Sequence, residues 1–336
     1  MTLNIKKSRM FIVWVGLIIL LFFLPLLLKN AYYQTLFNQA LINLIVVLGL
    51  NFIIGLTGQM NLGTAGIMAI GAYLSALCSI NYHISPWLCL VVAIGAGYLI
   101  GIGLGYPSLR VKGVYLALTT LGFGEIVRLM LTNLSNITGG THGVTNIQGY
   151  NFFGFSISTP ISFYYFLVVI TIMMIFISSR IVNSKWGRAF KAIRDNVDAV
   201  EACGIDIADI KIKAFTLAAI YGSFAGALYA HLMGYINPAG FTSDLSFNFI
   251  VMMMVGGIGS VFGNIIGAIL VTILPELLRF LKDYYWLVFS IIVLIFSIIL
   301  PNGLVSLVPL IKNLFKLKTV RKAKGGEQIG NDSAIR

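Results

Sequence analysis

The chain has 336 residues, of which 58% are hydrophobic and 10% charged, whereas soluble domains average roughly 45–50% and 25%. That balance excludes a soluble globule, and apolar blocks of ~20 residues are too long and uniform for barrel strands, so the chain must cross lipid as helices. The formal charge of +12 does not point to nucleic acid, because the Lys and Arg residues gather at the ends of apolar runs and in the tail.

In chain order, apolar runs near 10–29, 36–55, 64–80, 86–106, 113–132, 161–181, 213–233, 245–260, 262–278 and 285–300 are each about long enough for a ~30 Å hydrocarbon layer. The expected fold is all-α, a polytopic membrane protein of about ten transmembrane helices, with the transmembrane domain over residues 1–310. Ten spans divide into two five-helix halves, and an odd number per half places the second half upside down relative to the first. Lys6, Lys7 and Arg9 precede the first run. No small-residue cleavage site follows Leu28, so that run reads as an uncleaved span rather than a secretory signal.

The basic residues also set an orientation. Arg110 and Lys112 fall between the fourth and fifth runs, Arg180, Lys185, Arg188, Lys191, Arg194, Lys211 and Lys213 surround the loop after the sixth, and seven more follow Pro309. Only Lys29, Arg279 and Lys282 lie at opposite span ends, so the positive-inside rule puts both termini in the cytoplasm. The tail, residues 311–336, reads as a basic cytoplasmic anchor beside anionic membrane lipid.

Two glycine-rich breaks interrupt the apolar pattern. Residues 55–66, GLTGQMNLGTAG, place Thr57, Gly58, Gln59, Asn61, Gly63 and Thr64 between two runs without any charge. Residues 255–264, VGGIGSVFGN, do the same in the second half with Gly256, Gly257 and Gly259. Irregular backbone survives at membrane depth only where it is buried or lines water, so paired breaks mark a substrate path; two short surface turns are the other reading. Residues 133–160 form a polar, nearly uncharged stretch too long for a simple turn, expected on the extracytoplasmic face as a contact for a delivery protein or as loop filler.

Glu125 lies inside the fifth run with Arg128 three residues on, on the same helix face. An ionisable group there costs a few kcal/mol or more unless paired or hydrated. Three readings stand: the pair is structural, it lines or gates the path, or Glu125 relays protons. The last would make the chain an ion-coupled secondary transporter. No other acid lies deep in a run, since Glu276 and Asp283 sit near a span end beside Arg279 and Lys282.

Catalytic machinery is not visible. His83, His142 and His231 have no metal-ligand spacing, and Cys78, Cys89 and Cys203 have no metal or redox spacing and read as buried thiols. No phosphate-binding loop is present, so ATP and its Mg are expected on partner subunits. The loop about 183–210 is where such partners would dock. Residues 189–201 suit one short helix with Phe190, Ile193 and Val197 on one face and Lys191, Arg194, Asp195 and Asp198 around it. Gly204 follows Glu201, Ala202 and Cys203 and can stop that helix in a left-handed cap. The apolar face would enter a groove on a soluble domain, and the mixed charge argues against a helix lying on anionic lipid.

These segments carry a resemblance. LNFIIGLTGQMNLGTAGIMAIGAY, YLALTTLGFGEIVRLMLTNLSNITGGTHGV, GRAFKAIRDNVDAVEACGID and MVGGIGSVFGNIIGA together resemble the membrane permease subunits of ABC importers for branched-chain amino acids, in particular the longer M-type subunit, over about residues 10–305. The resemblance implies a transport subunit without enzymatic activity, in a bacterial cytoplasmic membrane. Its partners would be a homologous H-type permease, two ATP-binding subunits and an extracytoplasmic substrate-binding protein. Glu201, Ala202 and Gly204 would match a shortened E-A-x-x-x-G coupling motif, with Arg188, Lys191, Arg194, Asp195 and Asp198 around it. Urea and short-amide importers share the scaffold, so they remain the alternative cargo.

Overall fold

The computed structural model describes residues 30–111, 113–152, 155–157, 159–300 and 303–306. The run expected at 10–29, Lys112 and the basic tail lie outside them. Among the described residues, eight helical segments are long and apolar enough to cross a membrane, and a shorter apolar helix covers Leu287–Phe296. Each of the nine runs expected from 36 to 300 coincides with one of these. The fold is thus an all-α polytopic membrane protein.

The helices are α1 (Ala31–Leu50), α2 (Thr64–Asn81), α3 (Pro86–Arg110), α4 (Val114–Asn133), α5 (Pro160–Val182), α6 (Lys185–Asp195), α7 (Val197–Ala202), α8 (Ile207–Met233), α9 (Ser243–Gly256), α10 (Val261–Leu277) and α11 (Tyr285–Ile299). Helix α1 opens at Asn30, whose side chain accepts from the Tyr32 N–H. It runs on as a π-helical turn, Asn51–Thr57, until Gly58 takes φ +71°. It is the central post, packed by α5, α8 and α10. Lipid is as apolar as leucine, so polar side chains and close backbone approach hold such helices together. Asn38 of α1 donates to the Pro160 carbonyl (3.0 Å) and Asn43 donates to Thr272 Oγ1 of α10 (3.0 Å).

Helix α8 is the second hub, against α2 and α3. Gly97 and Gly101 on α3 leave no room for a methyl group against Ala219 and Thr216 of α8, and Gly105, four residues further on, sits tight against Ile212. Gly71 of α2 and Gly226 of α8 meet Ser223 and Met68 in the same way. Glycines serve close helix crossing elsewhere too: Gly66 abuts Gly124 of α4, and Gly263 and Gly267 abut Gly256 and Met252 of α9.

Part of the polar stretch before α5 is folded. A hairpin, β1 (Tyr150–Phe152) and β2 (Phe155–Ile157), pairs Tyr150 with Ile157, and Val144 forms a bridge with Ile236 beyond α8. Trp87 at the start of α3 donates its indole N–H to the Asn151 carbonyl (2.9 Å) and packs on Tyr150. Tyr150 is wholly buried, and that burial pushes its phenol well above the ordinary range. His231 bridges Ser75 Oγ (2.8 Å) and the Gln148 carbonyl (2.6 Å), tying this cap to α2 and α8. The cysteines divide: Cys89 is buried, but Cys203 is exposed. The expectation of a buried thiol fails at Cys203 because it caps α7 on the outer side of the charged segment.

Candidate functional site

The charged segment lies between α5 and α8, at the opposite end of α5 from the hairpin. Ser184 caps α6 by accepting from the Trp186 and Gly187 N–H groups, which fills two of the donors a helix start leaves free. The single helix expected over 189–201 is two helices. Asn196 breaks it in extended conformation (φ −159°) and its side chain caps α7, accepting from Ala199 N at 3.1 Å. Asparagine competes with the helix for its own backbone, which is why the break falls there.

Helix α7 ends where Gly204 was expected to stop it. Gly204 has φ +73°, its N–H bonds the Glu201 carbonyl (2.9 Å) and the Ile205 N–H bonds the Val200 carbonyl (3.4 Å). These two bonds form a Schellman cap. Asp206 then caps α8 through Ala208 and Asp209. Four successive side-chain or glycine caps therefore hold a short polar corner outside the helix bundle.

The apolar face of this corner points the other way from the sequence expectation. Phe190 and Ile193 are buried in the membrane body, as is Val200, and cannot enter a groove on a soluble domain. Arg188, Lys191, Asp195, Asp198, Glu201, Ala202, Cys203 and Gly204 are exposed. The outward surface is thus mixed-charge and polar, and its apolar side is its anchor. Lys213 of α8 lies over the Trp186 ring at 5.4 Å, pinning the start of α6 as well.

Arg194 joins this corner to both glycine-rich breaks. Its Nη1 donates to the Gly55 carbonyl at 2.6 Å, and its aliphatic stem lies over Gly58. The last turn of a helix leaves carbonyls without partners and carries partial negative charge, so a guanidinium there satisfies both needs. Within the same joint, Asn51 Oδ1 accepts from the Gly259 N–H at 2.9 Å. A side chain at Gly55 would displace the Asn51 amide. Gly303, at φ +74°, stacks directly on Gly257 and closes the far side. The structure therefore brings together Arg194, Gly58, Gly257 and Gly259, with Asn51 as the residue that sequence reading missed. Its signal was a polar side chain inside an otherwise apolar run.

The first break continues into the interior. Thr57 Oγ1 donates to the Ile53 carbonyl (2.7 Å), Gln59 Nε2 donates to Thr57 Oγ1 (2.8 Å) and Asn61 Oδ1 accepts from the Gly63 N–H (2.9 Å). Leu62 N–H reaches Thr120 Oγ1 of α4 and Ala65 N–H reaches Ser246 Oγ of α9, both at 2.9 Å. Gly63 packs on the α4 backbone at Thr120. Several buried polar atoms of the two breaks have no partner among the described residues: Gln59 Oε1, Asn61 Nδ2 and Thr64 Oγ1 in the first, and both amide atoms of Asn264 in the second. Gly256 lies on the opposite side of the second break, locked between α9 and α10.

Glu125 and Arg128 are an ion pair, Nε to Oε2 at 2.8 Å, with side chains 32% and 31% exposed. Ser243, the first residue of α9, donates to Glu125 Oε1 at 2.5 Å. Nothing in the sequence links Ser243 to Glu125 across 118 positions. The pair and the joint at Gly55 are separate features, connected through α9, whose Ser243 holds Glu125 and whose Ser246 holds the start of α2.

Comparison with known proteins gives the same direction. The family model "Branched-chain amino acid transport system / permease component" matches residues 32–298. The chain is 35% identical over 315 residues to the high-affinity branched-chain amino acid transport system permease protein LivM of Salmonella typhimurium, covering 86% of this chain and 72% of that one. It is 28% identical over 246 residues to a probable branched-chain amino acid transport permease LivM of Methanocaldococcus jannaschii, covering 69% and 71%. Against the autoinducer 2 import system permease LsrC of Yersinia enterocolitica it is 27% identical over 266 residues, covering 76% and 70%. No solved structure matches. With most of its length inside the family model and a third of its residues shared with LivM, the chain belongs to the family of branched-chain amino acid transport permease components.

Proposed function

We propose that this chain is the M-type membrane subunit of an ATP-driven importer for leucine, isoleucine and valine, taking cargo from an extracytoplasmic binding protein. As a permease component it is a transport subunit and not an enzyme. ATP and Mg bind on two partner subunits, and a homologous H-type permease completes the membrane body. The surface on α6 and α7 that carries Arg188, Lys191, Asp195, Asp198, Glu201, Ala202 and Gly204 is the docking face for the ATP-binding partners. Both termini lie on that cytoplasmic side.

The observation that carries the reading is the bond from Arg194 to Gly55. Because Phe190 and Ile193 are embedded, α6 moves with the body rather than against it. A push from closing ATPases then reaches the π-helical end of α1 through Arg194 and the second break through Asn51 and Gly259. Short π segments are frequent at functional sites inside longer helices. The breaks, with Thr57, Gly58, Gln59, Asn61, Gly63, Gly256, Gly257 and Gly259, are the part of the path that opens and shuts. A buried polar atom without a partner costs about 1–3 kcal/mol, so the unpartnered atoms of Gln59, Asn61 and Asn264 favour water or solute beside them.

The test is a reconstituted complex in liposomes, with leucine uptake and ATP hydrolysis measured together. Glu201→Lys, Gly204→Pro and Arg194→Gln each lower uptake per ATP about tenfold. Undiminished coupling in the first two removes the docking role. Uptake that persists without ATP and collapses with an ionophore instead makes Glu125 an ion-coupling site. A binding assay on the partner receptor separates leucine from urea, short amides or sugar-like cargo.

A further inference from the structure

Helix α4 has 20 residues and Glu125 stands eleven beyond Val114, which puts the charge about 16 Å along a ~30 Å helix. It is therefore near the middle of the membrane. Helix α4 is also the least covered of the eight spans, with 17% of its most apolar window buried. An ion pair about a third exposed at that depth is unstable against hydrocarbon. The face that bears it must meet water, solute or a polar surface.

The pair is not closed on itself. Arg128 uses Nε on Glu125, and its two terminal nitrogens make no bond among the described residues, leaving a two-pronged donor edge. Glu125 holds one hydroxyl and one guanidinium N–H, and a carboxylate has room for further donors. Around the pair the surface is apolar and open. Leu118 and Leu129 lie on the Glu125 stripe and are 57% and 50% exposed. A side chain at Gly122, one turn before Glu125, would meet nothing within 4 Å.

One carboxylate and one guanidinium in contact, set on an open, apolar helix face with free space at Gly122, match a small molecule of complementary plan. It needs an ammonium, a carboxylate on the next atom and a short branched hydrocarbon. We propose that Glu125 and Arg128 form a transit site for the zwitterionic head of an α-amino acid, with the ammonium on Glu125, the carboxylate on the terminal nitrogens of Arg128, and the aliphatic side chain against Leu118, Gly122 and Leu129. Ser243 positions Glu125 for this role. The inference rests on the importer reading above and adds what that reading lacks: a reason for amino acids over uncharged amides. Arg binds carboxylates in a two-bond fork, and neither urea nor an amide offers both charges.

The experiment uses the assembled complex, without receptor and held in its nucleotide-bound state. Binding is measured for leucine, leucinol (ammonium only) and 4-methylpentanoate (carboxylate only), alongside receptor-dependent leucine uptake. Wild type prefers leucine over each analogue at least tenfold. Arg128→Gln removes the preference over leucinol and keeps the preference over 4-methylpentanoate; Glu125→Gln does the reverse. A purely structural pair would lower both preferences equally or neither, and that result overturns the proposal. So does loss of the partner permease on purification of both variants, which would make the pair an assembly contact, or absence of leucine binding by a wild-type complex that imports it. A wild-type complex that imports no leucine with ATP present fails the importer reading instead.

Discussion

Helices α1 and α4 are both apolar enough to span a membrane, yet the most apolar 18-residue window of α1 is wholly buried and that of α4 is 17% buried. Hydrophobicity cannot produce that difference, since a leucine gains little by leaving lipid for protein. What differs is backbone approach and the use of polar groups. Helix α1 places Asn38, Asn43 and Asn51 in bonds to three other elements, and Gly49 lets α8 close on it at Tyr221. Helix α4 makes its tight backbone contacts at Thr120 and Gly124, ties Glu125 to Ser243 of α9, and leaves Gly122 and Leu129 open. One helix is a post; the other is a wall with a free face.

Substitutions can break or sharpen this contrast. The largest effect belongs to the glycine seam between α3 and α8. Gly101→Leu forces a side chain into the Thr216 backbone and lowers stability by about 3 kcal/mol or prevents folding, as overpacking a tight crossing does. Gly122→Leu, the same chemistry on the free face of α4, changes stability by less than about 0.5 kcal/mol. Detergent-to-SDS unfolding titrations of the two variants decide it, and equal losses would erase the distinction.

Next in size is the joint at the foot of the post. Asn51→Ala removes the acceptor of the Gly259 N–H in a buried setting and costs about 1–3 kcal/mol. The same titration reads it, and a neutral result would mean that the two breaks are not mechanically tied. The smallest effect lies outside the bundle. Gly204 has open space around it but φ +73°, so Gly204→Ala costs about 1 kcal/mol from backbone strain alone. Hydrogen exchange at the Ile205 amide, which bonds Val200 across the cap, speeds up about fivefold while the global titration stays put.

The spans were legible because a long uncharged apolar run has one answer in lipid; nine of the expected runs coincide with described helices. The charged segment was legible through its contrast with everything around it, and the left-handed stop at Gly204 through its residue type. Two of its details were misread. Asn196 carries a helix-start signal that the apolar spacing of Phe190, Ile193 and Val197 masked. Those spacings also define a face without saying which way it looks, and burial of Phe190 and Ile193 turned the expected docking knob into an anchor.

Local chemistry alone, then, determined where this chain crosses the membrane, where it is charged and where its backbone bends, because each depends on a few consecutive residues and the medium around them. The three-dimensional packing decided which of those features touch. Arg194 reaches Gly55 across 139 positions, Asn51 reaches Gly259 across 208 and Ser243 reaches Glu125 across 118. Such bonds depend on how helices cross, and crossing is set by many glycine and small-residue contacts acting at once rather than by any single stretch of sequence.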